Sequence, residues 1–116
     1  MSGGERMRRV DAAVRQVVGD VVAQDLKDPR VGFVTVTDVK TSPDLRHARV
    51  YVSVLGTPDE REASLAGLRS AHGYLQRQVA RELRLKHTPE LDFVHDDTAD
   101  RAFRLEEILD AEEHST

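Results

Sequence analysis

The chain has 116 residues, of which 39% are apolar, and it contains no cysteine. This length fits one domain with a modest core, and the lack of cysteine excludes disulfides, thiolate catalysis and cysteine-ligated zinc. The net charge of −4 is unevenly spread, because residues 1–89 hold 15 Lys/Arg and 11 Asp/Glu whereas residues 90–116 hold 2 and 10. A positive surface can therefore exist outside the acidic end. No stretch resembles a membrane span or a signal peptide, so we expect a cytoplasmic protein without membrane contact.

The first half of the chain predicts a helix followed by a β-hairpin. The helix carries a valine stripe and should end near Pro29, because proline disfavours helical backbone in the residue before it. Residues 33–39 and 47–54 are rich in β-branched side chains, which is typical of strands, and residues 42–44 are turn formers. The stripe consists of Val10, Val14, Val17 and Val21, with Val18 and Val22 beside it.

The second half predicts a bent helix, a third strand and a final helix. Thr57 and Glu60 have the spacing of a capping box, which marks a helix start. The apolar stripe that follows is interrupted at residues 70–73, where a glycine costs about 1 kcal/mol in a continuous helix. We therefore predict two helices joined by a sharp bend. Residues 91–94 should form a short strand, and residues 96–98 should cap the final helix.

Basic residues cluster around and beyond this bend. Arg77, Arg81 and Arg84 have the spacing of one helix face, whereas the apolar residues lie on the opposite face. Free N–H groups at the start of the second helix, together with Gly73, would let a phosphate approach closely. The candidate RNA-binding residues are Arg69, Ser70, Ala71, His72, Gly73, Arg77, Arg81, Arg84 and Lys86. Because an ordinary solvated amphipathic helix has the same pattern, spacing alone leaves both interpretations open.

Several separate motifs resemble the ribosome-binding factor A family. The resemblance covers about residues 6–110 in consistent order, so it extends over nearly the whole chain. The motifs are Lys27-Asp28-Pro29-Arg30, Ser42-Pro43-Asp44-Leu45, Ala48-Arg49-Val50-Tyr51-Val52-Ser53 and Ser70-Ala71-His72-Gly73-Tyr74-Leu75, followed by Arg77, Leu83, Arg84, Pro89, Leu91, Phe93 and Asp96.

The resemblance implies a type II KH-like α+β fold in the order helix-strand-strand-helix-bent helix-strand, with an added C-terminal helix and a three-stranded sheet packed on the helices. KH domains hold the nucleic-acid backbone with a Gly-x-x-Gly loop between two helices. The family replaces that loop with an Ala-x-Gly bend, here Ala71-His72-Gly73. We expect a single domain over residues 6–110, with disordered ends at residues 1–5 and 111–116.

The resemblance also implies a function without catalysis or a cofactor. Members of the family bind the free small (30S) ribosomal subunit through its 16S rRNA, and they assist late maturation and rRNA processing, often in cold adaptation. Small-subunit ribosomal proteins are further candidate partners, and we expect a monomer.

Three other interpretations are weaker. An enzyme lacks support, because the five histidines show no metal-ligand spacing and no phosphate-binding or nucleophile motif is present. A protein-interaction module is the main alternative, in which the acidic final helix, with Phe103 outside its apolar stripe, docks a small-subunit ribosomal protein. An RNA-recognition motif would need paired strand aromatics, and Tyr51 stands alone on the outward face of the second predicted strand.

Overall fold

The computed structural model describes residues 3–98, which form three helices and one three-stranded sheet. Strand order is β1-β2-β3, with β1 antiparallel to β2 and β3 parallel to β2. This mixed sheet packed on helices confirms the predicted α+β class and is consistent with a KH-like fold. The predicted final helix falls in residues 99–116, outside the described residues. The elements are α1 (Gly3–Gln24), β1 (Val34–Thr41), β2 (His47–Val54), α2 (Pro58–Ser70), α3 (His72–Leu83) and β3 (Glu90–His95).

The core lies between the helices and one face of the sheet. Along β2, buried and more exposed residues alternate, as expected for a strand with one covered face, and the predicted strand bounds are confirmed. Leu68 of α2 and both Leu75 and Val79 of α3 are fully buried against this face. The opposite face of the described sheet carries exposed polar residues such as Lys40 and Arg49.

Helix α1 packs through the predicted valine stripe at Val10, Val14 and Val21, but Val18 takes the central place predicted for Val17. Val18 is fully buried, whereas Val17 lies at the edge of the core and is only partly buried. The Asp11 carboxylate fastens this helix to β1 by accepting hydrogen bonds from the backbone N–H and the hydroxyl of Thr41. The helix begins at Gly3 and ends at Gln24, so residues 3–5, which we expected in a disordered end, are helical.

The first strand begins one residue later than predicted. Phe33 lies outside β1 with 79% of its surface exposed, although its carbonyl still accepts a hydrogen bond of 3.1 Å from the N–H of Leu55. A bulge between Val36 and Asp38 breaks the simple alternation of the strand. The exposed Phe33 shows that β-branched and aromatic composition can identify a strand without locating the residue at which the strand begins.

The segment before β1 is held tightly against α2. The hydroxyl of Ser64 accepts the N–H of Gly32 at 3.1 Å and donates to the carbonyl of Arg30 at 3.2 Å. Gly67 of the same helix is buried, and a Cβ there would lie 2.7 Å from the Cγ2 of Val31. The close approach of the two segments therefore requires a glycine in the middle of α2.

The predicted capping box at the start of α2 is confirmed. The Thr57 hydroxyl accepts the N–H of Glu60, and the Glu60 carboxylate accepts the N–H of Thr57, both at 3.2 Å. None of the helices in residues 3–98 is both long enough and apolar enough to cross a membrane.

Substituting Gly67→Ala should destabilise the fold by about 1–3 kcal/mol, because the new methyl group overlaps Val31. The matched control is Gly19→Ala in α1, where a Cβ would meet nothing within 4 Å. That control should stabilise the fold by up to about 1 kcal/mol through helix propensity alone. Urea unfolding of both variants measures the two changes. Equal effects of the two substitutions would show that the contact with Val31 is not what selects glycine at position 67.

The end of β3 is tied across the sheet by Asp96. Its carboxylate accepts the Thr37 hydroxyl at 2.7 Å and the N–H of Thr98 at 2.9 Å. Hydrogen bonds from the side chain of Thr98, then from the side chain of Thr37 and the Thr98 N–H, lower the pKa of Asp96 to about 2. The bond to the Thr98 N–H is that of the predicted cap, although the helix beyond it lies outside the described residues.

The lowered pKa of Asp96 predicts a loss of stability in acid. In the unfolded chain this carboxyl takes up a proton near pH 4, and in the folded chain only near pH 2, so its stabilising contribution is complete above pH 4 and disappears as the pH falls towards 2. Asp96→Asn and Thr37→Val should both lose less stability than the wild type over this window. Unfolding free energies measured from pH 6 to pH 2 test this. Parallel curves for the wild type and both variants would contradict it.

Candidate nucleic-acid interface

The predicted bend is confirmed, and it occurs at a single residue, Ala71. Its φ of −86° and ψ of 5° depart from helical geometry. Its N–H still bonds the carbonyls of Gly67 and Leu68 in α2, while its own carbonyl accepts the N–H of Leu75 in α3. The chain therefore passes from one helix to the next without a loop, and both helices send leucines into the core.

The break at Ala71 lies within the predicted interruption at residues 70–73, and Gly73 itself does not form it. Gly73 lies in the first turn of α3, and its φ is not among the positive values of the described residues. A Cβ at this position would lie 3.5 Å from the Nη1 of Arg77, which is ordinary van der Waals contact. Backbone geometry therefore does not require glycine at this position. What glycine provides is an open approach to the start of α3, beside the guanidinium group of Arg77.

No side chain caps the start of α3, because the residue at the cap position is Ala71. The first N–H groups of a helix lack partners within it, and they form the positive end of the helix dipole. Ser70 and Gly73 are exposed on either side of this helix start. The backbone here has the properties of an anion-binding site.

The arginines of α3 extend this positive surface along the helix. Arg77 and Arg81 are exposed on the face opposite the buried Leu75 and Val79, as predicted. Asp28 and Arg30 form an ion pair, whereas neither arginine of α3 takes part in one within residues 3–98. Their charges are therefore not neutralised by a carboxylate of the described chain.

The remaining predicted cations lie at the two ends of the bent helix. Arg69 is exposed in the last turn of α2, close to the bend. Arg84 ends α3 in the left-handed conformation, with φ 49° and ψ 36°, and Lys86 is exposed just beyond it. At a rise of about 1.5 Å per residue, Arg84 and Lys86 are on the order of 15–20 Å from the bend. They are therefore too far from the bend to contact the same phosphate as the start of α3.

His72 points towards the sheet and is half-buried. Its Nε2 lies 3.2 Å from the carbonyl oxygen of Leu91, and since a carbonyl only accepts, Nε2 is the protonated nitrogen. One turn later, Gln76 donates to the carbonyl of Pro89 at 2.8 Å and accepts the N–H of Leu91 at 3.2 Å. These bonds hold α3 against β3. Contact between His72 and RNA stays a prediction, and this geometry engages one of its two ring nitrogens.

Other surfaces are more evenly charged. On the open face of the sheet, Lys40 and Arg49 stand beside Glu90 and Asp92. A cavity of about 470 Å³ between α1 and β1 is lined by one arginine and one aspartate together with uncharged residues. Within residues 3–98, no group of three histidine, aspartate or glutamate side chains could hold a metal ion. The α3 side is therefore the better candidate for phosphate binding.

The structure adds residues that sequence reasoning did not select. Gln76 was missed because its partner, the edge of β3, is remote in sequence. Arg6 and His87 were missed although both line a cavity with Lys86. The basic start of the chain was a usable signal, but spacing did not show that the start of α1 lies beside the segment after α3.

Comparisons with known proteins agree with this description. The family model of ribosome-binding factor A matches residues 6–109. Ribosome-binding factor A of Anaeromyxobacter sp. is 50% identical over 110 residues, which cover 94% of this chain and 90% of that protein. The solution structure of a Thermotoga maritima protein assigned to the same family superposes with a TM-score of 0.72 at 36% identity, covering 84% of this chain and 93% of that one.

The chain is also similar to a relative that was fitted into the map of a ribosomal complex. A homology model of Thermus thermophilus ribosome-binding factor A, fitted into the cryo-electron microscopy map of its complex with the 30S subunit, has a TM-score of 0.62 at 29% identity. The match covers 74% of this chain and 90% of that one. The family model spans most of the chain, and the fold and the sequence relatives agree with it. The chain therefore belongs to the ribosome-binding factor A family.

Proposed function

We propose that this protein is a cytoplasmic, monomeric assembly factor that binds the free small ribosomal subunit through its 16S rRNA, and that it assists late maturation and rRNA processing, including in the cold. The proposal rests on the surface of α3. There, Arg77 and Arg81 lack ion-pair partners in the described chain, and they follow a helix start that no side chain caps. The Thermus thermophilus relative, described in a 30S complex, supports the same partner.

The chemistry of this surface suits a phosphate backbone more than a particular base sequence. Guanidinium groups donate bidentate hydrogen bonds to phosphate oxygens, and free backbone N–H groups at a helix start donate hydrogen bonds to bound anions. Gly73 keeps the approach to those N–H groups open. Aromatic side chains on which bases could stack are few, since Tyr74 is the one exposed aromatic of α3. Recognition would therefore rest on RNA shape and charge.

The alternative, docking of a ribosomal protein by the acidic final helix, rests on residues outside the described part of the chain. The described residues offer no observation that favours it over the α3 surface.

Neutralising the arginine row should weaken binding to the small subunit. Arg77→Gln with Arg81→Gln removes two phosphate contacts, so we expect a loss of at least about tenfold in affinity and a salt dependence shallower by roughly 1.5 in log–log slope. The matched control is Lys40→Gln with Arg49→Gln, which removes the same charge from the open face of the sheet. Co-sedimentation with isolated small subunits, measured at several salt concentrations, gives both quantities.

Equal weakening by both pairs of substitutions would show that overall charge, and not the α3 surface, controls binding. Wild-type protein that sediments with joined ribosomes but not with free small subunits would contradict the maturation role.

A further inference from the structure

A second cationic site lies at the far end of α3 from the bend. A cavity of about 230 Å³, open to solvent, is lined by the start of α1, the β1–β2 turn and the segment after α3. Arg6, Lys86 and His87 line it, and they come from segments about 80 residues apart in the chain. The volume is enough for a phosphate group. Leu45 and Leu85 form part of the wall and are packed against the core.

The positive charge in this cavity is only partly compensated. Neither Arg6, Lys86 nor His87 forms an ion pair within the described range 3–98. Asp44 also lines the cavity, but its carboxylate accepts the Ser42 hydroxyl at 2.6 Å and the Arg46 N–H at 3.0 Å. These hydrogen bonds lower the pKa of Asp44 and engage its charge in the turn. The two permanent cations still outnumber the single carboxylate, whatever the protonation of His87.

Helix stability does not explain Arg6. It stands in the first turn of α1, where a positive side chain opposes the helix dipole. Lys86, just beyond the end of α3, does favour the dipole of that helix, so its charge alone would not indicate a ligand. Arg6, which its helix dipole disfavours, lies across the cavity from Lys86, which its helix dipole favours. An anion bound between the two side chains would account for both.

Backbone strain also concentrates around this cavity. Among the described residues, the non-glycine positions with positive φ are Leu45, at 59°, and Arg84, at 49°. Side chains with a Cβ disfavour this conformation, which persists where the surrounding structure enforces it, and such residues cluster at functional sites. Leu45 lines the cavity, and Arg84 directs the segment that carries Lys86 and His87.

We propose that this cavity binds a backbone phosphate of the RNA, so that the RNA-contacting surface continues from the bend, along α3, to the start of α1. This inference rests on the proposed function, and it identifies the ligand group and a second, separate contact. The two sites are on the order of 15–20 Å apart. A single RNA strand following the α3 arginines would reach both.

The test uses a double variant that carries both Arg6→Gln and Lys86→Gln. Its binding to isolated small subunits is compared with that of the wild type. We expect a loss of about tenfold and a shallower salt dependence, with unchanged thermal unfolding. The matched control, Arg15→Gln with Lys40→Gln, removes the same charge elsewhere and should bind like the wild type. Arg6→Lys, which keeps the positive charge, should retain most of the affinity.

Three results would overturn the proposal. Wild-type binding by the Arg6/Lys86 variant, while the Arg77/Arg81 variant binds weakly, would remove this cavity from the interface and leave the proposed function standing. If the Arg6/Lys86 variant and the Arg15/Lys40 control lose binding equally, the loss reflects overall charge and not this cavity. If neither the Arg77/Arg81 nor the Arg6/Lys86 variant is weakened, the proposed function falls together with this site.

A titration with inorganic phosphate, followed by amide NMR shifts, separates the two sources of the anion. Shifts at residues 85–87 that disappear in the Arg6/Lys86 variant, combined with its loss of subunit binding, support a phosphate site used by RNA. The same shifts without any loss of subunit binding would identify a site for small anions only, and would overturn the assignment to RNA.

Discussion

The edge of β3 and the first turns of α3 are joined by side-chain hydrogen bonds on which the orientation of the basic surface depends. β3 pairs with β2 on one side, and at Leu91 its other edge is satisfied by His72 and Gln76. These two residues are four apart and lie on one side of α3, so bonding both of them to one strand fixes the rotation of the helix about its axis. With that rotation, Leu75 and Val79 enter the core while Arg77 and Arg81 face solvent.

The bend at Ala71 serves the same arrangement. It lets α2 and α3 each bury apolar residues while the start of α3 is exposed beside Gly73. The helix start, the arginine row and Lys86 then follow one another along α3 and the segment after it. Glu90 and Asp92, the acidic residues of β3, lie on the open face of the sheet. Separation of charge in space, and not net charge, is what makes the RNA-binding proposal physically reasonable.

Local chemistry predicted much of the fold. The capping box at Thr57, the bounds of β2 and the bent helix are properties of short segments, and alternation or cap spacing reveals them directly. The errors have a common cause. Whether Val17 or Val18 is central to the core, and whether Phe33 pairs in the sheet, depends on partners that are distant in sequence.

For the same reason, only part of the candidate site could be predicted from the sequence. The spacing of Arg77 and Arg81 predicted their exposure, and Gly73 indicated the interruption of the helix, but it did not show that the change of direction occurs at Ala71. The inward hydrogen bond of His72 and the nearness of Arg6 to Lys86 follow from tertiary packing. No spacing rule within one helix could have shown either.

The central claim is that the α3 side, and not the open face of the sheet, contacts the small subunit. Hydroxyl-radical footprinting of the wild-type protein, free and bound to isolated small subunits, tests it with the aromatic side chains already present. Tyr74 lies in the first turn of α3, Tyr51 on the open face of the sheet, and Phe33 before β1. We expect binding to protect Tyr74 from oxidation and to leave Tyr51 and Phe33 as reactive as before. Protection of Tyr51 with unchanged oxidation of Tyr74 would contradict it.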